Sequence, residues 1–336
     1  MTFDLFFMKT PLYRDALQHG LGLAWKYKLL WVFGFFSALL GQMGMFEFFA
    51  SAGLSDVSVT SQFGLWIGLP GLIGSLLLTG INSLSFDIWV WLLWSFVFVT
   101  SFLVIGTFIA VVSYGAMIAV VASSVKKKTA SVHMGKAWHT GVKHFWRLFF
   151  IFLAKKTIFA FLVLLMAVVA SYMATGMNTA DSLLFSVFFF VVMMLGMVVS
   201  FLVIYAACYI VVEEYPLGKA IAAGWRLFVD HWLVSLEIGL LLFFATLLTG
   251  LVSFVGLVVF FFPTLLLWFI AVLTGKAVLF TLGMVIGGAF FLLFVFLLWS
   301  FFQVFTVSVW TYLFMKMHKE GVRSRVIGFF QFLKKG

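Results

Sequence analysis

The chain has 336 residues, 65% of them hydrophobic and only 10% charged, with a mean hydropathy of +1.21. So few charges exclude a soluble domain of this size, and the continuous apolar runs exclude the alternating pattern of a membrane β-barrel. The net charge of +10 points to basic residues held in cytoplasmic loops beside anionic head groups rather than to nucleic-acid binding. The predicted fold is an all-α integral membrane bundle.

The first residues, "MTFDLFFMKTPLYRDALQHG", carry a short apolar patch, and polar residues follow where a cleavage site would stand. An uncleaved anchor is expected rather than a secretory signal. Six stretches then have the length and apolarity of spans: 29–48, 88–124, 148–175, 183–212, 232–258 and 277–315. Two weaker stretches, 63–81 and 259–275, suit a span, a re-entrant segment or an interfacial helix. With six spans and the N-terminus inside, the inner segments 1–28, 125–147, 213–231 and 316–336 hold 18 of the 21 Lys and Arg, as the positive-inside rule requires. Making 63–81 a seventh span would turn "VKKKTASVHMGKAWHTGVKHFWR" outward. Its glycines and Pro70 favour a short or bent outer-leaflet or re-entrant element. An eight-span arrangement, with 259–275 also crossing, stays open.

A short phrase occurs three times. Its copies are Ala16, Leu17, Gly20, Leu21, Ala24; Ala137, Trp138, Gly141, Val142, Phe145; and Ala220, Ile221, Gly224, Trp225, Phe228. The spacing i, i+1, i+4, i+5, i+8 makes one face of a helix. Polar residues occupy the other face: Arg14, Gln18 and His19; Lys136, His139, Lys143 and His144; Lys219, Arg226 and Asp230. Pro11 and Pro216 open the first and third copies. Each copy precedes a tryptophan and a long apolar run, which predicts an amphipathic helix in the inner head-group layer bending into a span. The small pairs Ala16/Gly20, Ala137/Gly141 and Ala220/Gly224 suit close helix packing. The chain therefore parses as one membrane domain, 1–336. It holds three units of interfacial helix plus two-span hairpin, about 10–125, 130–212 and 216–315, and a basic amphipathic tail, 316–336.

The stretch "EEYPLGKAIAAGWRLFVDHWLVSLEIGLLL" resembles a bacterial family related to the glycerophosphodiester phosphodiesterase membrane domain. The matching positions are Glu213 or Glu214, Ala220, Ile221, Trp225, Leu227, His231 and Trp232, with Gly224 where that family often has Ser. "SVHMGKAWHTGVKHFWRLF" resembles the pattern once more. The resemblance implies a helical membrane organisation. The namesake's phosphodiesterase chemistry belongs to a separate soluble domain with no counterpart in this sequence, so no such activity is implied.

Ionisable groups inside spans are few: Lys155, Lys156 and Glu237. By the repeat they fall at similar depth in the third and fifth spans, where a pair would line a polar cavity. The alternative is that all three snorkel to the inner interface. His133, His139 and His144 lack the i, i+4 spacing of metal ligands and are expected as polar residues of a surface helix. Glu213 and Glu214 are expected to cap the helix that follows them. The single Cys208 forms no intrachain disulfide. No nucleophile elbow, zincin pair or Walker loop is found, and no cofactor is implied. The expected function is a non-enzymatic membrane protein organising lipid or a partner membrane protein. Its expected place is the bacterial cytoplasmic membrane, with both termini inside and anionic head groups as partners. A transporter or lipid translocator with a polar pathway near Lys155, Lys156 and Glu237 is the alternative.

Overall fold

The computed structural model describes residues 12–38, 40, 86–126, 134–173 and 179–320. Among them the chain is helical almost throughout and holds no strand. The helices are α1 (Leu12–Lys26), α2 (Leu30–Ala38), α3 (Phe86–Lys126), α4 (Met134–Lys143), α5 (Phe145–Met173), α6 (Thr179–Val212), α7 (Leu217–Asp230), α8 (Trp232–Thr274) and α9 (Ala277–Glu320). Five helices are long and apolar enough to cross a membrane, within 89–126, 145–166, 183–212, 232–274 and 278–318. The chain is thus a multi-pass membrane protein. Of the expected first span, only 29–38 and residue 40 are described. The stretch 63–81, Pro11, His133 and the tail beyond residue 320 lie outside the described residues.

The stretch 259–275 is not a separate element. It continues α8, which runs for 43 residues through Pro263. A proline removes one backbone donor, and an apolar helix tolerates that where neighbouring helices take up the freed groups. Next to Pro263, the Thr264 hydroxyl ties α8 to α9 by donating to the Gly283 carbonyl at 3.0 Å. At about 1.5 Å per residue α8 is about 64 Å long, twice a hydrocarbon core of about 30 Å. It turns into α9 through Gly275, whose φ of 64° is easy only for a residue without a side chain.

The three short helices α1, α4 and α7 each lead into a long or apolar one. The break is one residue wide at His144 and at His231, and three residues wide before α2. At His231 the backbone N–H still reaches Leu227 O at 3.1 Å, and the Ser235 N–H returns to His231 O at 3.0 Å. After α1, the Trp31 indole donates to the Ala24 carbonyl at 2.8 Å and satisfies a helix-end acceptor.

The second halves of α3, α6 and α9 form the centre. Residues Ala110–Ala122, Tyr205–Val211 and Val307–Thr311 are buried almost without interruption. Tyr205 is fully buried, and its hydroxyl bonds Ser235 of α8 at 2.6 Å. The first halves of α3 and α6, and most of the α8–α9 hairpin, present exposed Phe, Leu and Val, as lipid-facing surfaces do.

Around this centre the short helices follow one rule. Helix α1 packs on α9, α4 on α3, and α7 on α6. Each pairing is antiparallel. Gly20 lies against Val309 and Phe305, and Trp25 further along α1 meets Phe301. Gly141 lies against Val112, and Phe145 meets Phe108. Gly224 lies against Ala206 and Leu202, and Phe228 meets Phe201. In lipid, apolar burial gives helices little reason to associate, so close backbone approach has to supply the attraction. The glycines allow that approach.

Candidate functional site

The polar faces of α1, α4 and α7 each meet the finishing end of a second long helix, giving three junctions. At the first, His19 Nε2 lies 3.2 Å from the Ser124 hydroxyl of α3. Its ring lies against Tyr312 of α9, centroids 5.0 Å apart. Burial lowers the His19 pKa, which favours the neutral ring.

The second junction is closed by charge. Lys143 donates to the Glu214 carboxylate at 2.7 Å. Arg147 donates to the Glu214 and Tyr215 carbonyls at 3.2 and 3.5 Å. Glu214 has a φ of 56°, a left-handed conformation in which a helix end usually places glycine. The hydrogen bond from Lys143, and its charge, hold the carboxyl pKa below the ordinary value. Glu214 therefore clasps α4 rather than capping α7, whose N-cap is Pro216 with no side-chain cap bond.

His144 departs from its expected place. It is 1% exposed, and neither ring nitrogen has a hydrogen-bond partner among the described residues. Burial pushes its pKa down, the Glu214 carboxylate 4.0 Å away pulls it up, and Lys143 and Arg147 push it down. It sits at the α4–α5 break, where the chain turns inward. His139 stays exposed, as a surface histidine should.

The third junction is open. Between α7, the α6–α7 turn and the end of α9 lies a crevice of about 700 Å³. Tyr209 and Tyr215 stack in one wall, centroids 5.5 Å apart. The Tyr209 hydroxyl bonds His318 Nδ1 at 3.3 Å, and His318 Nε2 lies 3.9 Å from Glu213. Lys219, Arg226 and Asp230 line the opposite wall from one face of α7. The floor there is made of Ala222 and Ala223. His231, at the α7–α8 break, also lines it, with Nδ1 3.3 Å from the Leu227 carbonyl. Among the described residues neither Lys219 nor Arg226 makes a hydrogen bond or ion pair.

The residues singled out by sequence fall elsewhere. Ala16, Ala137 and Ala220 are buried, and so are Gly20, Gly141 and Gly224. On α5, Lys155 is 7% exposed with its ammonium 5.6 Å from the Phe159 ring centroid, whereas Lys156 points outward. Glu237 is half-buried on α8, beside the fully buried Ile238. Sequence reasoning missed the crevice. Its signal was available in Lys219 and Arg226, seven residues apart on one helical face beside a Tyr–Pro turn. Among the described residues, no three His, Cys, Asp or Glu side chains gather as a metal site would need. No protein-family model, curated protein or solved structure matches the chain.

Proposed function

We propose that this chain is a non-enzymatic polytopic protein of the bacterial cytoplasmic membrane that organises anionic lipid, or a partner membrane protein, at the inner face. It crosses six times in three units and keeps both termini inside. The observation that carries this reading is shared polarity. Helices α1, α4 and α7 begin at the same end of the bundle where α3, α6 and α9 finish, as their antiparallel contacts require. The basic residues Arg14, Lys126, Lys136, Lys143, Lys219 and Arg226 gather at that end. Membership of the glycerophosphodiester phosphodiesterase membrane-domain family is part of the proposal and rests on the motif around Trp225. The test is mass spectrometry of lipid co-purified with the full chain, together with labelling of cysteines introduced at 14 and 219. Enrichment of anionic lipid and labelling from the inner side only is expected. Labelling of the two positions from opposite sides would overturn it.

The buried Lys155 supports a second reading, a transporter or translocator. A charge in a span costs at least about 2.5 kcal/mol and needs a reason. If Lys155 and Glu237 form a pair in a polar pathway, Glu237→Lys lowers the folded yield and Lys155→Glu restores it in the double variant. An additive double loss removes this reading.

A further inference from the structure

We infer that the crevice between α7 and the end of α9 binds the phosphate head group of an anionic phospholipid. This deepens the lipid reading above and rests on it. The argument begins with the three junctions. In the first, the polar face of the short helix is bonded to the end of α3 through His19 and Ser124. In the second, Lys143 and Arg147 close on Glu214 and Tyr215. The third has the same placement of elements but no direct bond between α7 and α9, and a volume of about 700 Å³ stands between them.

The charge there is unbalanced. Lys219 and Arg226 face the space, and Asp230 is the one carboxylate in its lining. Glu213 is turned to His318. The side chains that follow α9 in the sequence add Arg323, Arg325, Lys334 and Lys335 and no Asp or Glu up to residue 336. The first turn of α7 adds unpaired backbone N–H groups at the same wall, and a helix N-terminus favours an anion. Arginine and lysine each suit phosphate, through a planar fork and a point charge respectively.

Size and position favour a lipid over a free ion. A volume of about 700 Å³ is within the range of small-molecule sites, roughly 300–1,000 Å³, and exceeds what inorganic phosphate fills. The stacked Tyr209 and Tyr215 give an apolar wall for a glycerol backbone. Trp225 and Trp232, about half exposed on the same helix and its continuation, mark head-group depth.

The test uses the full chain in nanodiscs of phosphatidylcholine with a minor fraction of phosphatidylglycerol, read by native mass spectrometry. The wild type is expected to retain phosphatidylglycerol. The double variant Lys219→Gln/Arg226→Gln should hold it about thirtyfold more weakly, at about 1 kcal/mol per basic residue. Lys276→Gln, an exposed basic residue at the α8–α9 turn and outside the basic end of the bundle, should leave retention unchanged. Equal retention by the double variant overturns the crevice assignment while the lipid reading stands. No retention by the wild type overturns both. Inorganic phosphate that binds in phosphatidylcholine-only discs and displaces the lipid overturns the lipid source in favour of a soluble phosphate.

Discussion

Replacing Gly141 by alanine tests the packing rule at its tightest point. A Cβ built there falls on the Val112 carbonyl of α3, within a stretch of backbone that is buried on every side. That carbonyl cannot swing away as a side chain could, so α4 must lift from α3. Overpacking of this kind costs roughly 1–3 kcal/mol. Against it stands the helix preference of alanine over glycine, about 1 kcal/mol. Gly22, with nothing within 4 Å of its added Cβ, isolates that preference. Gly141→Ala should therefore melt below wild type and Gly22→Ala at or above it. At about 2–4 °C per kcal/mol the two variants separate by several degrees. Between them, Gly20→Ala meets a Val309 methyl at 2.8 Å, a side-chain rather than a backbone clash, and the Phe305 carbonyl only at 3.3 Å. Gly224→Ala meets Ala206 N at 3.2 Å and should be the mildest of the three. The assay is thermal unfolding in detergent followed by size-exclusion fluorescence. A Gly141→Ala variant that melts together with Gly22→Ala would refute the claim that the phrase exists to bring backbones together.

Three further outcomes are expected. Burial lowers the His144 pKa, so protonation favours the unfolded chain. The stability tied to the neutral ring is whole above the ordinary imidazole pKa of about 6.5 and declines as pH falls below it. His144→Asn should flatten the melting-temperature profile between neutral and mildly acidic pH, leaving a shallower slope of the same sign from His19. At the positive-φ position 214, Glu214→Gly and Glu214→Ala both lose the Lys143 bond, but the glycine variant should melt higher because its backbone is unstrained there. Cys208, 1% exposed between α3 and α9, should resist maleimide in the native bundle and react only as the centre unfolds, which gel-shift labelling across a temperature ramp would report.

Local features were legible in the sequence because local physics sets them. The ends of α3, α4, α6, α7 and α9 fall within a few residues of the apolar limits and of Pro216. The buried faces of α1, α4 and α7 are those that the Ala-x-x-x-Gly spacing picks out. The extent of α8 was not legible, because Pro263 normally ends a helix, whereas here the helix runs on through it, packed against α9. The burial of His144 was hidden for a similar reason. On the helix wheel it belongs to the polar face, and only the turn at the α4–α5 break carries it inside. Which long helix each glycine meets is a long-range fact that no local pattern encodes. The same holds for the crevice, which exists because one of three comparable junctions fails to close.

The seating of α1 on α9 has a consequence for biosynthesis. Helix α1 leaves the ribosome well before the α8–α9 hairpin on which it docks. Until that hairpin is inserted, Ala16 and Gly20 have no surface to rest on, and a prematurely stopped polypeptide would display them to proteolytic surveillance. The seat of α1 is therefore closed only after α9 has been made and inserted.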